Sequence, residues 1–272
     1  MTDIELKATA AKVREGIVTA VFSAASGHPG GSLSAADMYT YLFFEEMNID
    51  PKNPKDPKRD RFVLSKGHTS PGYYSALANR GFFPVEDLKT FRKLGSYLQG
   101  HPCMNETPGV DMSSGSLGQG LSAATGMALA GKLKGEDYRV YTLLGDGEIQ
   151  EGQIWEASMF AGAHHLDNLC VIVDNNDLQI DGRVADVCNI YPIDKKFEAF
   201  NFNVINIDGH DFAQIRDALN KARETKGKPT AIIMKTTKGK GVSFMEDNAG
   251  WHGKAHNAEE YEKAIAEIRS AI

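Results

Sequence analysis

The sequence is poor in the features that would place it outside a cell or in a membrane. Its 272 residues include three cysteines, Cys103, Cys170 and Cys188, an odd number with no CxxC spacing. That argues against a disulfide framework or a cysteine-ligated zinc and predicts reduced, partly buried thiols. No apolar run approaches the roughly 20 residues of a membrane span, and the opening MTDIELKATAAKVREG reads as an amphipathic helix without the apolar core of a signal peptide. A cytoplasmic location and no membrane association are therefore expected. Positive charge is also short, with 36 acidic against 30 basic residues and a net charge of −6, so nucleic acid is not an expected partner. Neither GxGxxG nor the GxxxxGK[ST] loop occurs, which weakens a nicotinamide or simple nucleotide fold. There is no internal repeat, low-complexity tract or flexible linker; PKNPKDPKRD (51–60) reads as a charged surface turn. With 42% hydrophobic and 24% charged residues, a single domain over 1–272 is the simplest expectation.

What is present is an alternation of short β-rich runs with helical patterns. RFVLS (61–65), YRVYTLL (138–144), LCVIVD (169–174), NVINID (203–208) and TAIIMKT (230–236) carry apolar residues on both sides, as strands covered on both faces do. The intervening stretches, from Ser116-Leu117-Gly118 through Leu133 and over 149–164, 211–224 and 258–270, have helical periodicity, and Asp211 is a plausible N-cap. The pattern predicts an α/β fold with a doubly wound parallel sheet.

Two strand ends carry chemistry. YTLL runs into Gly145-Asp146-Gly147 and a helix, which places a carboxylate and free N–H groups at the carboxyl edge of a parallel sheet. CVIVD ends in Asn175-Asn176-Asp177-Leu178 at what should be the same edge. A GDG alone is an ordinary capped turn. Together the loops offer a carboxylate, an amide oxygen and a main-chain carbonyl, a set suited to Mg²⁺ with phosphate oxygens and water completing an octahedron. Asp146 is expected on the exposed edge, and Gly147 is expected to let a phosphate approach the backbone.

Four of eight histidines lie in Gly- or Pro-fixed loops: His28 in SGHPGG, His68 in SKGH, His101 in GHP and His252 in GWHG. Singly, each reads best as a satisfied loop histidine; four together suggest donors to a diphosphate or to sugar hydroxyls and proton carriers near neutral pH. His164, His165, His210 and His256 read as structural.

The segments SGHPGG, LSKGHTSPGYY, GHP, SSGSLGQG, GDGEIQEGQIWEA, VDNNDLQIDG and AGWHGK stand in the order and spacing of the N-terminal, diphosphate-binding domain of transketolase, which the chain resembles over essentially its whole length. The resemblance implies thiamine diphosphate as cofactor, with Asp146, Asn176 and the Leu178 carbonyl binding Mg²⁺ or Ca²⁺, and Gly147 N–H, His68 and His252 contacting the diphosphate. Leu117 and Ile180 would pack on the thiazolium ring and Gly115 would lie beside the pyrimidine. His28 and His101 would bind hydroxyls of the two-carbon unit, His252 and His28 would assist proton transfer, and Glu151 and Glu156 match acidic residues that link paired sites across a dimer. Asp177 and Ser116 stand where the family more often has glycine and proline.

The family's pyrimidine-binding and C-terminal domains have no counterpart here, so the resemblance implies a split enzyme of the pentose phosphate pathway, with a C-terminal transketolase subunit in an α₂β₂ assembly acting on phosphorylated sugars; a truncated longer protein is the alternative. Rival readings are the α subunit of a 2-oxo acid dehydrogenase, against which the histidine loops argue, a transketolase-like enzyme for a sulfonated or branched sugar, and a non-catalytic cofactor-binding subunit.

Overall fold

The computed structural model describes residues 1–271. The five expected strands form Arg61–Leu64 (β1), Val140–Gly145 (β2) and Leu169–Asn175 (β3), then, after a two-residue hairpin of Leu178–Gln179 (β4) and Gly182–Arg183 (β5), Asn203–Asp208 (β6) and Thr230–Lys235 (β7). The large sheet is wholly parallel in the order β1-β2-β3-β7-β6. Side chains alternate across it with the period of two that extended backbone imposes. Phe62, Leu64, Tyr141, Leu143, Cys170, Ile172, Ile232 and Met234 enter one core, and Val63, Val140, Leu144, Val171, Val173, Ala231 and Ile233 enter the other. Burial on both faces explains why the strands read as continuous apolar runs.

Helices Asp3–Ala24 (α1), Pro29–Ser34 (α2), Ala36–Tyr41 (α3), Ser70–Arg80 (α4), Gln119–Lys134 (α5), Gly152–Ala163 (α6), Val184–Cys188 (α7), Ile193–Ala199 (α8), Phe212–Glu224 (α9) and Ala258–Ser270 (α10) complete the layers. Residues of α1, α3, α4 and α9 line the first core, and those of α5, α6 and α8 line the second. A third cluster joins α1, α2 and α10 to Val242, Met245 and Trp251. The first helix starts with a capping box, Thr2 Oγ1 accepting from Glu5 N while the Glu5 carboxylate accepts from Thr2 N. It runs well past the amphipathic stretch expected from sequence: Ile17, Val18, Ala20 and Val21 are all buried, so its second half is a strut inside the domain. The helical pattern expected over 149–164 begins instead with a 3₁₀ turn at Glu148–Gln150, α6 starting only at Gly152. The Glu148 carboxylate accounts for the delay, because it accepts from Gly145 N (3.0 Å) and Gly118 N (2.9 Å) and holds that turn against the strand end.

Candidate active site

Every strand of a parallel sheet ends at the same edge, and here the ends of β1, β2, β3 and β7 open into one cavity of about 450 Å³. His28, His68, Gly115, Leu117, Asp146, Gly147, Asn176, Leu178, Ile180 and His252 all line it. His101 sits just outside, on the solvent-exposed lip, with its ring about one van der Waals contact from Gly115: a Cβ built there would lie 3.5 Å away.

Two buried carboxylates hold these loops in register. Asp174, fully buried at the end of β3, accepts from Lys66 Nζ (2.5 Å), Ser34 Oγ (2.6 Å), Thr236 Oγ1 and Asn176 Nδ2 (3.1 Å). Burial opposes its charge, but the Lys66 ammonium and these donors hold its carboxyl below the usual range. The bond from Asn176 Nδ2 fixes the amide orientation, leaving Oδ1 as the acceptor it presents to Leu178 N at 3.2 Å. Glu148 performs the same task one strand over, adding Ser65 Oγ (2.5 Å) to its two backbone donors, and its burial pushes its carboxyl up.

Asp146 departs from expectation: it is 2% exposed rather than on an open edge, because the Asn175–Leu178 turn folds across it. Its Oδ2 accepts from Asp177 N (2.5 Å) and its Oδ1 from Gly147 N (2.8 Å), yet burial, with the neighbouring Asp174 charge, pushes its carboxyl up. Asp177 supplies its amide from a left-handed conformation, φ 63°, which explains why glycine is commoner there. Here the aspartate side chain compensates, accepting from Arg183 (2.8 Å) and the Tyr191 hydroxyl (3.0 Å). Gly147 is ordinary in backbone, φ −63°, and its surroundings are tight: an added Cβ would stand 3.2 Å from that of Gln179.

In the same cavity, His28, His68 and His252 form a triangle with ring centroids 5.1, 5.2 and 5.3 Å apart. Imidazoles this close disfavour protonation of one another. Burial first, then the surrounding cations, lowers His28 to about 4, His252 to about 3 and His68 well below its ordinary value. Lys238 Nζ lies 3.1 Å from His252 Nδ1 and 2.8 Å from the Leu178 carbonyl, to which it donates. With an ammonium at Nδ1 the imidazole accepts there, so its proton resides on Nε2. The Lys238 loop is braced from behind by His210, whose Nδ1 lies 2.8 Å from Asp37 Oδ2 while its Nε2 accepts from Thr237 N (2.9 Å). His210 and the buried His256, bonded to the Val18 carbonyl, are structural, as the sequence suggested.

Lys66, Lys238, Asp174 and Glu148 are the participants that sequence reasoning missed. The signal for Lys238 was available, since TKGKG follows β7 at the same sheet edge that directed attention to Asp146 and Asn176. Glu151 lines the cavity, whereas Glu156 lies in a separate groove between α5 and α6 with Ser122, Thr125 and Phe160.

Residues 6–270 match the family described as transketolase, thiamine diphosphate binding domain. The chain belongs to the transketolase family. It is 44% identical to the 6-deoxy-6-sulfo-D-fructose transketolase subunit SqwG of Clostridium sp. (strain MSTE9), covering 97% of this chain and 96% of that one. It is 41% identical to one subunit of the apulose-4-phosphate transketolase of Actinobacillus succinogenes, covering 98% and 96%. Among solved structures, the transketolase of Campylobacter jejuni superposes with a TM-score of 0.93 at 38% identity, covering 99% of this chain but 43% of that longer one.

As a transketolase chain it is a thiamine diphosphate-dependent transferase, and its cavity fits that cofactor and a divalent cation on its own chemistry. Asp146, the Asn176 amide oxygen and the Leu178 carbonyl are hard oxygen donors at one edge, and the carbonyl already draws a cation, the Lys238 ammonium. Beside them Lys238 and neutral imidazole N–H groups offer donors that suit a diphosphate, while the Lys66 ammonium is neutralised by Asp174. Membership also explains the absence of nucleotide signatures. No helix among the described residues is long and apolar enough to cross a membrane.

Proposed function

We propose that this chain is a single diphosphate-binding domain forming the N-terminal subunit of a two-chain transketolase, which moves a two-carbon ketol unit from a ketose to an aldose sugar phosphate. The observation that carries this is the His28–His68–His252 triangle lining one cavity with the Asp146–Asn176–Leu178 edge, the two bridged by Lys238, with His101 at the lip. Asp146, Asn176 Oδ1 and the Leu178 carbonyl hold Mg²⁺, or Ca²⁺ in its place. Gly147 N–H, His68 and His252 hold the diphosphate, and Leu117 and Ile180 flank the thiazolium with Gly115 beside the pyrimidine. Thiamine diphosphate supplies, when bound, the nucleophilic carbon and electron sink for carbon–carbon cleavage. The chain's own part is to orient hydroxyls through His28 and His101 and to hold a proton on His252 Nε2, with His28 beside it to assist proton transfer.

The partner is a chain that carries the pyrimidine-binding domain. Support comes from SqwG and the apulose-4-phosphate relative, which are subunits of transketolases and match this chain over 96% of their own length. Ile180 is 68% exposed at the mouth, an apolar surface suited to being covered by that domain. We assign an α₂β₂ assembly in the cytoplasm. The same relatives favour a second reading, a sulfonated or branched donor in place of xylulose 5-phosphate. The test is kcat/KM of the reconstituted pair, with thiamine diphosphate and Mg²⁺, for xylulose 5-phosphate, 6-deoxy-6-sulfo-D-fructose and apulose 4-phosphate against an aldose phosphate acceptor. The ketol-transfer reading requires turnover with at least one; a cofactor-loaded pair that turns over none contradicts it.

A further inference from the structure

Arg92, beside the His101 lip of the cavity, has features that the cofactor site does not absorb. Its backbone is left-handed, φ 58°, an uncommon conformation for a long side chain, and is held by the bond from its N–H to the Leu98 carbonyl (2.9 Å). The half-buried guanidinium reaches back to two loops. Its Nη1 donates to Ser26 Oγ at 2.8 Å, two residues before His28. On the other side it packs so closely on Gly100, the residue before His101, that a Cβ there would stand 2.8 Å from Nε and 3.2 Å from Nη2. Arg92 Nε is buried without a partner, and no carboxylate among the described residues neutralises the charge. An unpaired cation next to a binding cleft is costly.

We propose that Arg92 is the positioning residue of the substrate-facing histidine pair: it ties the Ser26–His28 loop to the Gly100–His101 loop and sets its uncompensated charge beside both imidazoles, so that they stay neutral and correctly spaced for sugar hydroxyls. The substrate part rests on the function proposed above; the loop tie and the charge do not. Arg92 lowers both His28 and His101, second in each case to desolvation, and the other charged or titratable groups facing His28 are His101, Lys238, His68 and His252. Removing the charge must raise both imidazoles, so activity is lost at higher pH on the acid side. Shortening the tie without removing charge must loosen substrate binding alone.

Three variants separate these effects: Arg92→Met removes charge and tie, Arg92→Lys keeps charge, and Ser26→Ala cuts the tie at its far end. In the full chain without cofactor, NMR titration of the histidine ring protons is expected to place His28 and His101 higher by about half to one pH unit in Arg92→Met and nearly unmoved in Ser26→Ala. In the complex with the partner subunit, the acid limb of kcat/KM should move up by the same amount in Arg92→Met and be restored by Arg92→Lys. Donor KM should rise about threefold or more in both Arg92→Lys and Ser26→Ala, with thiamine diphosphate affinity within about twofold of the parent. Unmoved imidazoles in Arg92→Met, or equal losses of cofactor affinity and turnover in all three variants, overturn the proposal. If the imidazoles move but the acid limb and donor KM do not, the assignment of His28 and His101 to substrate fails while the electrostatic link stands.

Discussion

Asp146 combines two properties that pull in opposite directions. Burial and the nearby Asp174 charge make its carboxylate unfavourable in the cofactor-free chain, while the Gly147 and Asp177 amides stabilise it. Asp146→Ala relieves the first and leaves two N–H groups unpaired at a cost of about 1 kcal/mol each, so the melting temperature should hardly move. Cofactor binding should not survive: thiamine diphosphate affinity in Mg²⁺, followed by calorimetry, is expected to fall at least about 100-fold, and near-parental affinity would contradict the metal assignment. The histidine triangle gives a second residue-scale test. His28 and His252 sit at about 4 and about 3 against an ordinary 6.5, so below pH 6.5 the unfolded chain takes up protons that the folded chain refuses. Stability is complete above that pH and falls as pH drops towards 4, by at most about 1.4 kcal/mol per unit per histidine, less at His28, which is only partly buried. A melting temperature that stays flat from pH 7 to 4.5 would rule out a buried neutral triangle. These histidines and Asp146 were legible in the sequence because they occupy Gly-flanked loops, and Asn176 because it follows an apolar strand run at the same sheet edge. Lys66 and Asp174 were not: a lysine and an aspartate 108 residues apart read as solvated charges until the fold brings them to 2.5 Å.

At the scale of elements, the sequence placed all five long strands within two residues at each end, because burial on both faces leaves an unbroken apolar run. It did worse where side chains from distant segments decide an end, as at α6, whose start waits for the Glu148 turn. The α9 N-cap was readable because the cap is local: Asp211 Oδ1 accepts from Ala213 N (2.9 Å) and Gln214 N (3.3 Å). Asp211→Ala should cost about 1 kcal/mol in urea unfolding and leave cofactor affinity unchanged, since neither Asp211 nor α9 lines the cavity and the neighbouring His210 is held by Asp37, Asp208 and Thr237 rather than by the cap. A loss of cofactor affinity instead would mean that α9 communicates with the site.

At the scale of the molecule, the sheet edge presents a cavity lined by the Asp146–Asn176–Leu178 edge and the histidine triangle, with Ile180 and His101 exposed on its lip. The pointer to a second chain comes from relatives named as transketolase subunits, which match this chain over 96% of their own length. The most direct measurement titrates a C-terminal transketolase subunit into a fixed amount of this chain, with thiamine diphosphate, Mg²⁺, a ketose donor and ribose 5-phosphate, and follows ketol transfer. The account predicts no turnover from either chain alone and a rate that rises to a plateau at one partner per chain. Full turnover by this chain without a partner would contradict it.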